Sequence, residues 1–335
     1  MAIAAQFALY ATQSYAAVVV LQGPVLGTAL GACFTLSSLV LAGHYRNDVP
    51  LVSVQSGFAG FAGSVVYTAF TRLGYGSGGD GDGARVHLYT GGVMTATLFA
   101  AFFLLARLDL QKEEVWIDGH TLRLCMPKHF LVDLKGGGMW FLIGYMLVFS
   151  GILVLPLYSI LLLTQSPGLF FPDTATYSVL TMLSVAAISG SAVANIYALR
   201  RVGPVNMFVA AAVLGGAVCL APVSYPELYL VVPLAALYGV ALGAVFSLHM
   251  VVAASFLSRK VGGRWEDDMP ARVAIGMVFA GLAAFGGVVG AAALIEGSEQ
   301  GGRIAMKVAG ACMIGGGVLV GCARLWRWKT FFYAV

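Results

Sequence analysis

Three side chains that titrate or carry positive charge lie inside or at the edge of long apolar stretches of this sequence: His87, His249 and Lys307. An ionisable group within a membrane is costly unless it has a partner or water, so each is a candidate functional residue. The imidazole of His249 can hydrogen-bond a substrate carboxylate or exchange a proton near neutral pH; a bond to a neighbouring helix is the alternative. His87 and Lys307 lie near the ends of their stretches, where contact with water or headgroups is expected.

Other hydrogen-bonding side chains recur at helical spacing. One stripe, at i, i+4, i+7 and i+11, consists of Ser184, Ile188, Ser191 and Asn195. It faces either a cavity or another helix, since a lipid-facing stripe would leave its polar groups without partners. Tyr238, Leu242 and Val245 lie on the same helical face as His249. Both stripes therefore mark helix faces that are turned away from lipid.

The composition indicates which class of protein carries these residues. Of 335 residues, 59% are apolar and 10% are charged, against about 45 to 50% and about 25% in soluble domains. This excludes a nucleic-acid binder, a disulfide scaffold and a disordered chain. We expect neither a cofactor nor a bound metal, and no cluster suited to an intramembrane enzyme is evident. The lipid bilayer is the expected surrounding.

The apolar runs between charges predict ten transmembrane helices of about 20 residues each. The first run, Met1 to Gly43, is 43 residues long and must fold back. A break at Thr12–Tyr15 leaves an opening helix too short to span, whereas a break at Gln22–Pro24 gives two crossings. The remaining eight runs are Val49–Thr71, Val86–Ala106, Gly136–Pro172, Thr174–Leu199, Val202–Pro226, Leu228–Ser258, Val273–Ile295 and Ile304–Ala323.

The distribution of basic residues predicts the orientation. The even-numbered loops and the C-terminus hold fifteen Lys and Arg, and the odd-numbered loops hold three. By the positive-inside rule the C-terminus and the long polar segment Arg107–Lys135 are cytoplasmic. That segment divides the chain into four helices (residues 1–106), a central loop (107–136) and six helices (137–335).

Small residues and one proline predict how the helices pack. Pro156 frees a backbone carbonyl and permits a bend in its helix. Four pairs at GxxxG spacing predict close helix contacts. These pairs are Gly27/Gly31, Gly239/Gly243, Gly286/Gly290 and Gly317/Gly321.

Several segments together resemble fungal members of the monocarboxylate-porter branch of the major facilitator superfamily. Trp140–Tyr158 resembles that family's seventh helix, and Leu237–Leu257 resembles its tenth. Leu183–Met207 resembles its eighth helix with the following Gly-x-x-Asn turn, and Gly301–Trp326 resembles its twelfth. Before the central loop, the stretch from Gln22 to Tyr67 resembles helices four and five. The resemblance covers nearly the whole chain.

The resemblance implies two six-helix halves with substrate bound at mid-membrane between them. It places the start of this chain within the family's third helix, so we expect the first two family helices to be missing and Met1–Tyr15 to be poorly anchored. Two charged positions also depart from the family, because Ala192 stands where an Arg is common and Arg200 where an Asp is common.

The function implied by the resemblance is secondary active transport of a small organic anion or related metabolite by alternating access. The family's tenth helix lines the cavity, and the candidate substrate-binding residues are therefore His249, Tyr238, Asn195, Ser191 and Ser184. Proton coupling is left open, and the membrane is the plasma membrane or the vacuole. The alternative is a truncated, non-transporting paralogue or a membrane partner of another protein.

We predict that a C-terminal tag is inaccessible to antibody in intact cells and is labelled once the membrane is permeabilised. The reason is the excess of basic residues on the side where the chain ends. Labelling before permeabilisation would contradict this orientation.

Overall fold

Helices make up nearly all of the described chain, because a backbone in hydrocarbon must satisfy its polar groups internally. The computed structural model describes residues 1–12, 14–44, 49–76, 83–107, 137–164, 173–197, 201–221, 228–257, 260–261, 264–265, 269–298 and 300–328. The first helices are α1 (Ala2–Ala11), α2 (Tyr15–Val20), a π-helical turn (Leu21–Val25), α3 (Leu26–His44), α4 (Val49–Gly76) and α5 (Gly83–Arg107). The next are α6 (Gly138–Ile152), α7 (Val154–Thr164), α8 (Asp173–Tyr197), α9 (Pro204–Leu220), α10 (Leu228–Leu257), α11 (Met269–Gly297) and α12 (Gly301–Trp328). One short antiparallel pair, β1 (Lys260–Val261) with β2 (Arg264–Trp265), joins α10 to α11.

Seven helical segments of the described chain are long and apolar enough to cross a membrane. They are Ala16–Ser37, Val86–Leu104, Gly138–Ser159, Tyr177–Ala194, Val231–Leu257, Arg272–Gly297 and Gly301–Trp328. Two shorter apolar helices, α1 with 10 residues and α9 with 17, accompany them. The chain is therefore an all-α, multi-pass integral membrane protein, with seven segments supported as spans out of the ten predicted.

The fold-back in the first apolar run lies at Thr12, and the predicted break at Gln22–Pro24 is wrong. Helix α1 ends at Ala11, and Thr12 has extended backbone angles (φ −102°, ψ 129°). The helix that begins at Tyr15 continues past Pro24, which lies inside the π-helical turn. A proline removes one N–H and displaces the preceding turn, and a π-helical turn is a known way to absorb that disturbance without ending the helix.

Contacts group the chain into two units, Met1–Gly43 with Ser64–Cys125 and His44–Gly63 with Met126–Val335. The first half of α4 therefore belongs to the second unit. Of the predicted central loop (107–136), residues 108–136 lie outside the described residues, so its boundaries stay a prediction.

In the first unit, α1 packs against α5, and the expectation of a poorly anchored start is wrong for this helix. Ala2, Ala5 and Leu9 are buried. The buried Gln6 donates its side-chain N–H to the hydroxyl of Thr90 at 2.6 Å. A second contact joins Gln6 Nε2 and His87 Nδ1 at 3.3 Å, with the imidazole nitrogen accepting. Polar groups shared between two helices thus hold α1 in place.

In the second unit, α10 is the central helix. It is the most deeply buried of the seven spans and contacts α6, α8, α9 and α11. Aromatic rings fill the space between α6 and its neighbours. Phe141 stacks on Phe256 of α10 with centroids 4.2 Å apart, and Tyr145 stacks on Phe208 of α9 at 6.0 Å.

Two arginines cap the C-terminal end of α10. Arg272 Nη1 donates to the carbonyl of Leu257 at 2.9 Å, and Arg327 Nη1 donates to the carbonyl of Phe256. The last carbonyls of a helix have no partner within the helix and carry partial negative charge. Guanidinium groups from α11 and α12 therefore satisfy this end of the central helix.

Glycines allow several backbones to approach closely. A Cβ at Gly144 of α6 would lie 2.7 Å from the Gly316 carbonyl of α12, and one at Gly216 of α9 would lie 2.6 Å from the Gly310 carbonyl. Of the four predicted pairs, Gly239/Gly243 is confirmed, because a Cβ at either would overlap the α8 backbone.

Two of the other pairs show no such approach, whereas Gly317/Gly321 packs against α9. Gly27/Gly31 and Gly286/Gly290 have no neighbour within 4 Å of a built Cβ, so the prediction is wrong for them among the described residues. Gly317 and Gly321 contact α9 at 3.3 to 3.9 Å. GxxxG spacing does not reveal which face of a helix meets a partner.

We predict that Gly316→Leu lowers the free energy of unfolding by about 1 to 3 kcal/mol, because a side chain there meets the α6 backbone. The matched control is Gly315→Leu, whose Cβ has nothing within 4 Å. Thermal melting of the purified protein in detergent measures both. Equal melting temperatures for the two variants would contradict the contact.

Candidate functional site

His249 is a buried polar side chain of the central helix, eight residues before its end, with 5% of its surface exposed. Its Nδ1 lies 2.5 Å from the carbonyl oxygen of Phe246. A carbonyl oxygen only accepts, so Nδ1 carries the proton and the neutral ring has its lone pair on Nε2. In this tautomer the N–H of the neutral ring is directed at Phe246, and binding of an anion by His249 stays a prediction.

Aromatic rings from two helices approach this imidazole, and a ring from a third helix packs against one of them. Phe149 of α6 and Phe246 of α10 approach it edge-on, with centroid distances of 6.2 and 6.1 Å. Phe61 of α4 lies edge-on to Phe246 at 6.0 Å. We call Phe61, Phe149 and Phe246 with His249 the aromatic cluster. Phe61 and Phe246 are only partly buried, so the cluster is more open on their side.

Helix α4 reaches the cluster through a close crossing of α10. The hydroxyl of Ser53 donates to the carbonyl of Ser247 at 2.5 Å. A Cβ at Gly57 would lie 2.9 Å from the Cα of Ser247. Ser53, Gly57 and Phe61 are spaced at i, i+4 and i+8. That spacing is the sequence signal that could have identified this face of α4, and our sequence analysis missed it.

Tyr238, on the same helix, is fully buried and serves a backbone group. Its hydroxyl donates to the carbonyl of Ile152 at 2.6 Å and lies 3.8 Å from the sulfur of Met313. Its polar atom is thus engaged by α6 and α12. A role in substrate binding stays a prediction.

The predicted polar stripe of α8 faces α10. Ser191 is buried and donates to Ala187 of its own helix at 3.0 Å, with the Gly243 carbonyl of α10 at 3.3 Å. Ser184 is buried and donates to the Leu180 carbonyl at 3.1 Å. The side chain of Asn195 lies outside the described residues. Of the two alternatives for this stripe, contact with another helix is the one that the Ser191 geometry favours.

The five predicted residues do not all meet at one point. His249 and Tyr238 both contact α6, whereas Ser191 contacts α10 at Gly243. The rings of Phe149 and Phe246 approach His249, and sequence reasoning overlooked them because an isolated phenylalanine in an apolar span carries no signal of its own. Within the described ranges, no group of three or more His, Cys, Asp or Glu is placed to hold a metal ion.

Two comparisons with known proteins found no relative. No protein-family model matches the chain, and no curated protein matches it significantly. The resemblance to the major facilitator superfamily therefore depends on the sequence segments alone.

We predict that Ser191→Ala lowers the free energy of unfolding by about 0.5 to 1 kcal/mol, since it removes a hydrogen bond between helices. Ser189→Ala is the matched control, because Ser189 is exposed and bonds only its own helix at Ala186. Melting temperatures in detergent distinguish the two. A loss in the control as large as that at Ser191 would contradict the interhelical role.

Proposed function

We propose that this protein is a secondary active transporter of the major facilitator type, carrying a small organic anion or related metabolite by alternating access. The proposal draws on the multi-pass helical architecture. It also draws on the segments that resemble helices of the monocarboxylate-porter branch and follow one another in the same order. A cytoplasmic C-terminus and residence in the plasma or vacuolar membrane are parts of the same proposal.

The observation that carries the proposal is the position of His249. It lies about 12 Å from the end of its helix, within an apolar span, and next to rings from α6 and α10. Intramembrane ionisable residues are retained mainly for transport, proton transfer or ligand binding. A ring bounded by apolar side chains favours an organic solute with both an apolar and a polar part.

The tautomer of His249 supports a specific form of the substrate. In the neutral ring, Nε2 accepts a hydrogen bond, which suits a protonated carboxylic acid. In the imidazolium, Nε2 donates, which suits a carboxylate. In both pairings one proton is shared between the imidazole and the acid, so movement of the anion would be accompanied by a proton.

We predict that His249→Ala lowers uptake of the transported acid at least about tenfold, the loss expected for a hydrogen bond to a charged group. Proteoliposomes containing the full chain would be tested with a panel of short labelled monocarboxylates. His249→Gln should retain binding, because the amide still donates and accepts, but should flatten the pH dependence of uptake.

The control for this experiment is His87→Gln in the first unit, at equal reconstituted protein. It should leave uptake near the wild-type rate. Uptake by His249→Ala with an unchanged rate and pH profile would contradict the role of His249, and the absence of uptake by the wild-type protein for the whole panel would contradict transport of this substrate class.

A further inference from the structure

The helix is interrupted between α6 and α7, close to a proline that removes one backbone donor. In a helix the N–H of residue i bonds the carbonyl of residue i−4. Pro156 has no N–H, so it cannot supply the helical bond to Ile152. The helix is interrupted at Leu153, and the ladder resumes with the N–H of Leu157 donating to Leu153 at 3.2 Å.

The carbonyl that Pro156 leaves without its helical donor receives the hydroxyl of Tyr238. The distance from the hydroxyl oxygen to the Ile152 carbonyl oxygen is 2.6 Å, and Tyr238 is fully buried. Water is excluded there, so the tyrosine takes the place of the missing backbone donor. A buried carbonyl with no partner costs about 1 to 3 kcal/mol. Loss of the tyrosine bond would therefore destabilise this local conformation by about that amount.

The same tyrosine connects further helices of the second unit. The sulfur of Met313 on α12 lies 3.8 Å from its hydroxyl, and a Cβ at Gly215 of α9 would lie 3.7 Å from its ring. Ile152 follows Phe149, a member of the aromatic cluster, by three residues on α6. The bond therefore lies at the interruption between α6 and α7, three residues after the ring that approaches His249.

We propose that Tyr238 is a positioning residue for the interruption at Leu153. While its hydroxyl bonds the Ile152 carbonyl, it holds α6 and α7 at their present angle. We call this hydrogen bond the latch. Opening of the bond releases the break and lets the segment change its angle. This inference does not depend on which solute is carried, or on transport at all. It concerns the coupling between one side chain of α10 and one backbone interruption in α6–α7.

The test is amide hydrogen exchange of the full chain in lipid nanodiscs, followed in peptides that cover residues 152–160. Tyr238→Phe keeps the ring and removes the hydroxyl. We expect exchange in this segment to accelerate about tenfold or more, as an unsatisfied buried acceptor would require. The other helices of the second unit should keep their exchange rates within about twofold, because the cost is local.

Tyr158→Phe is the matched control. Tyr158 also donates its hydroxyl to a backbone carbonyl of another helix, Val288 of α11, at 3.0 Å. Residue 292, four positions after Val288, is Ala292 and keeps its N–H. The control removes the same kind of bond from a carbonyl that has its own helical donor, so it should change exchange at residues 152–160 by less than about twofold.

The decisive variant is the double substitution of Pro156→Ala with Tyr238→Phe. An alanine at 156 restores the N–H that bonds Ile152, so removal of the tyrosine hydroxyl should then have no effect on exchange. Pro156→Ala alone should slow exchange in the segment, which keeps the inference testable if Tyr238→Phe folds poorly. Three results would overturn the proposal. The double variant could exchange as fast at residues 152–160 as Tyr238→Phe alone, Tyr158→Phe and Tyr238→Phe could accelerate exchange there equally, or exchange could rise uniformly across the second unit.

Discussion

Hydrocarbon supplies no hydrogen bonds, so every backbone N–H and C=O within the spans has to find its partner inside the protein. A regular helix meets this requirement by itself. Where a proline disturbs the helix, the backbone group that loses its partner must be satisfied in another way. At Pro24 a π-helical turn absorbs the disturbance within the helix itself. At Pro156 the missing donor is replaced by Tyr238 from another helix, whose hydroxyl lies 2.6 Å from the buried carbonyl of Ile152. The first solution is local, and the second makes one helix dependent on another.

Contacts between helices follow from a related constraint. Lipid tails are as apolar as the helix surfaces, so close packing and shared hydrogen bonds replace the hydrophobic effect as the source of association. Around α10 both are present. Gly239 and Gly243 allow the α8 backbone to approach, and Ser191 donates across the same contact. At the C-terminal end, Arg272 and Arg327 bond the last carbonyls.

His249 is placed by this packing. Its Nδ1–H is used by Phe246, so its remaining chemistry is concentrated at Nε2, and the edges of Phe149 and Phe246 bound the ring. An imidazole held in one tautomer among apolar rings can pair with an acid or with its anion, depending on where the shared proton lies. That property links the proposed solute to a proton. The tautomer is set by the backbone carbonyl of Phe246, which lies one helical turn away.

The sequence by itself determined the membrane class, the helical secondary structure and a disturbance of the helix near Pro156. These follow from composition, run length and residue type, which are local properties. Tertiary structure alone decided that the first run breaks at Thr12, that Gly239/Gly243 meets a backbone whereas Gly27/Gly31 does not, and that Tyr238 serves Ile152. Each of these depends on which helix face meets which neighbour, and in uniformly apolar spans the hydrophobic pattern that would specify the face is absent.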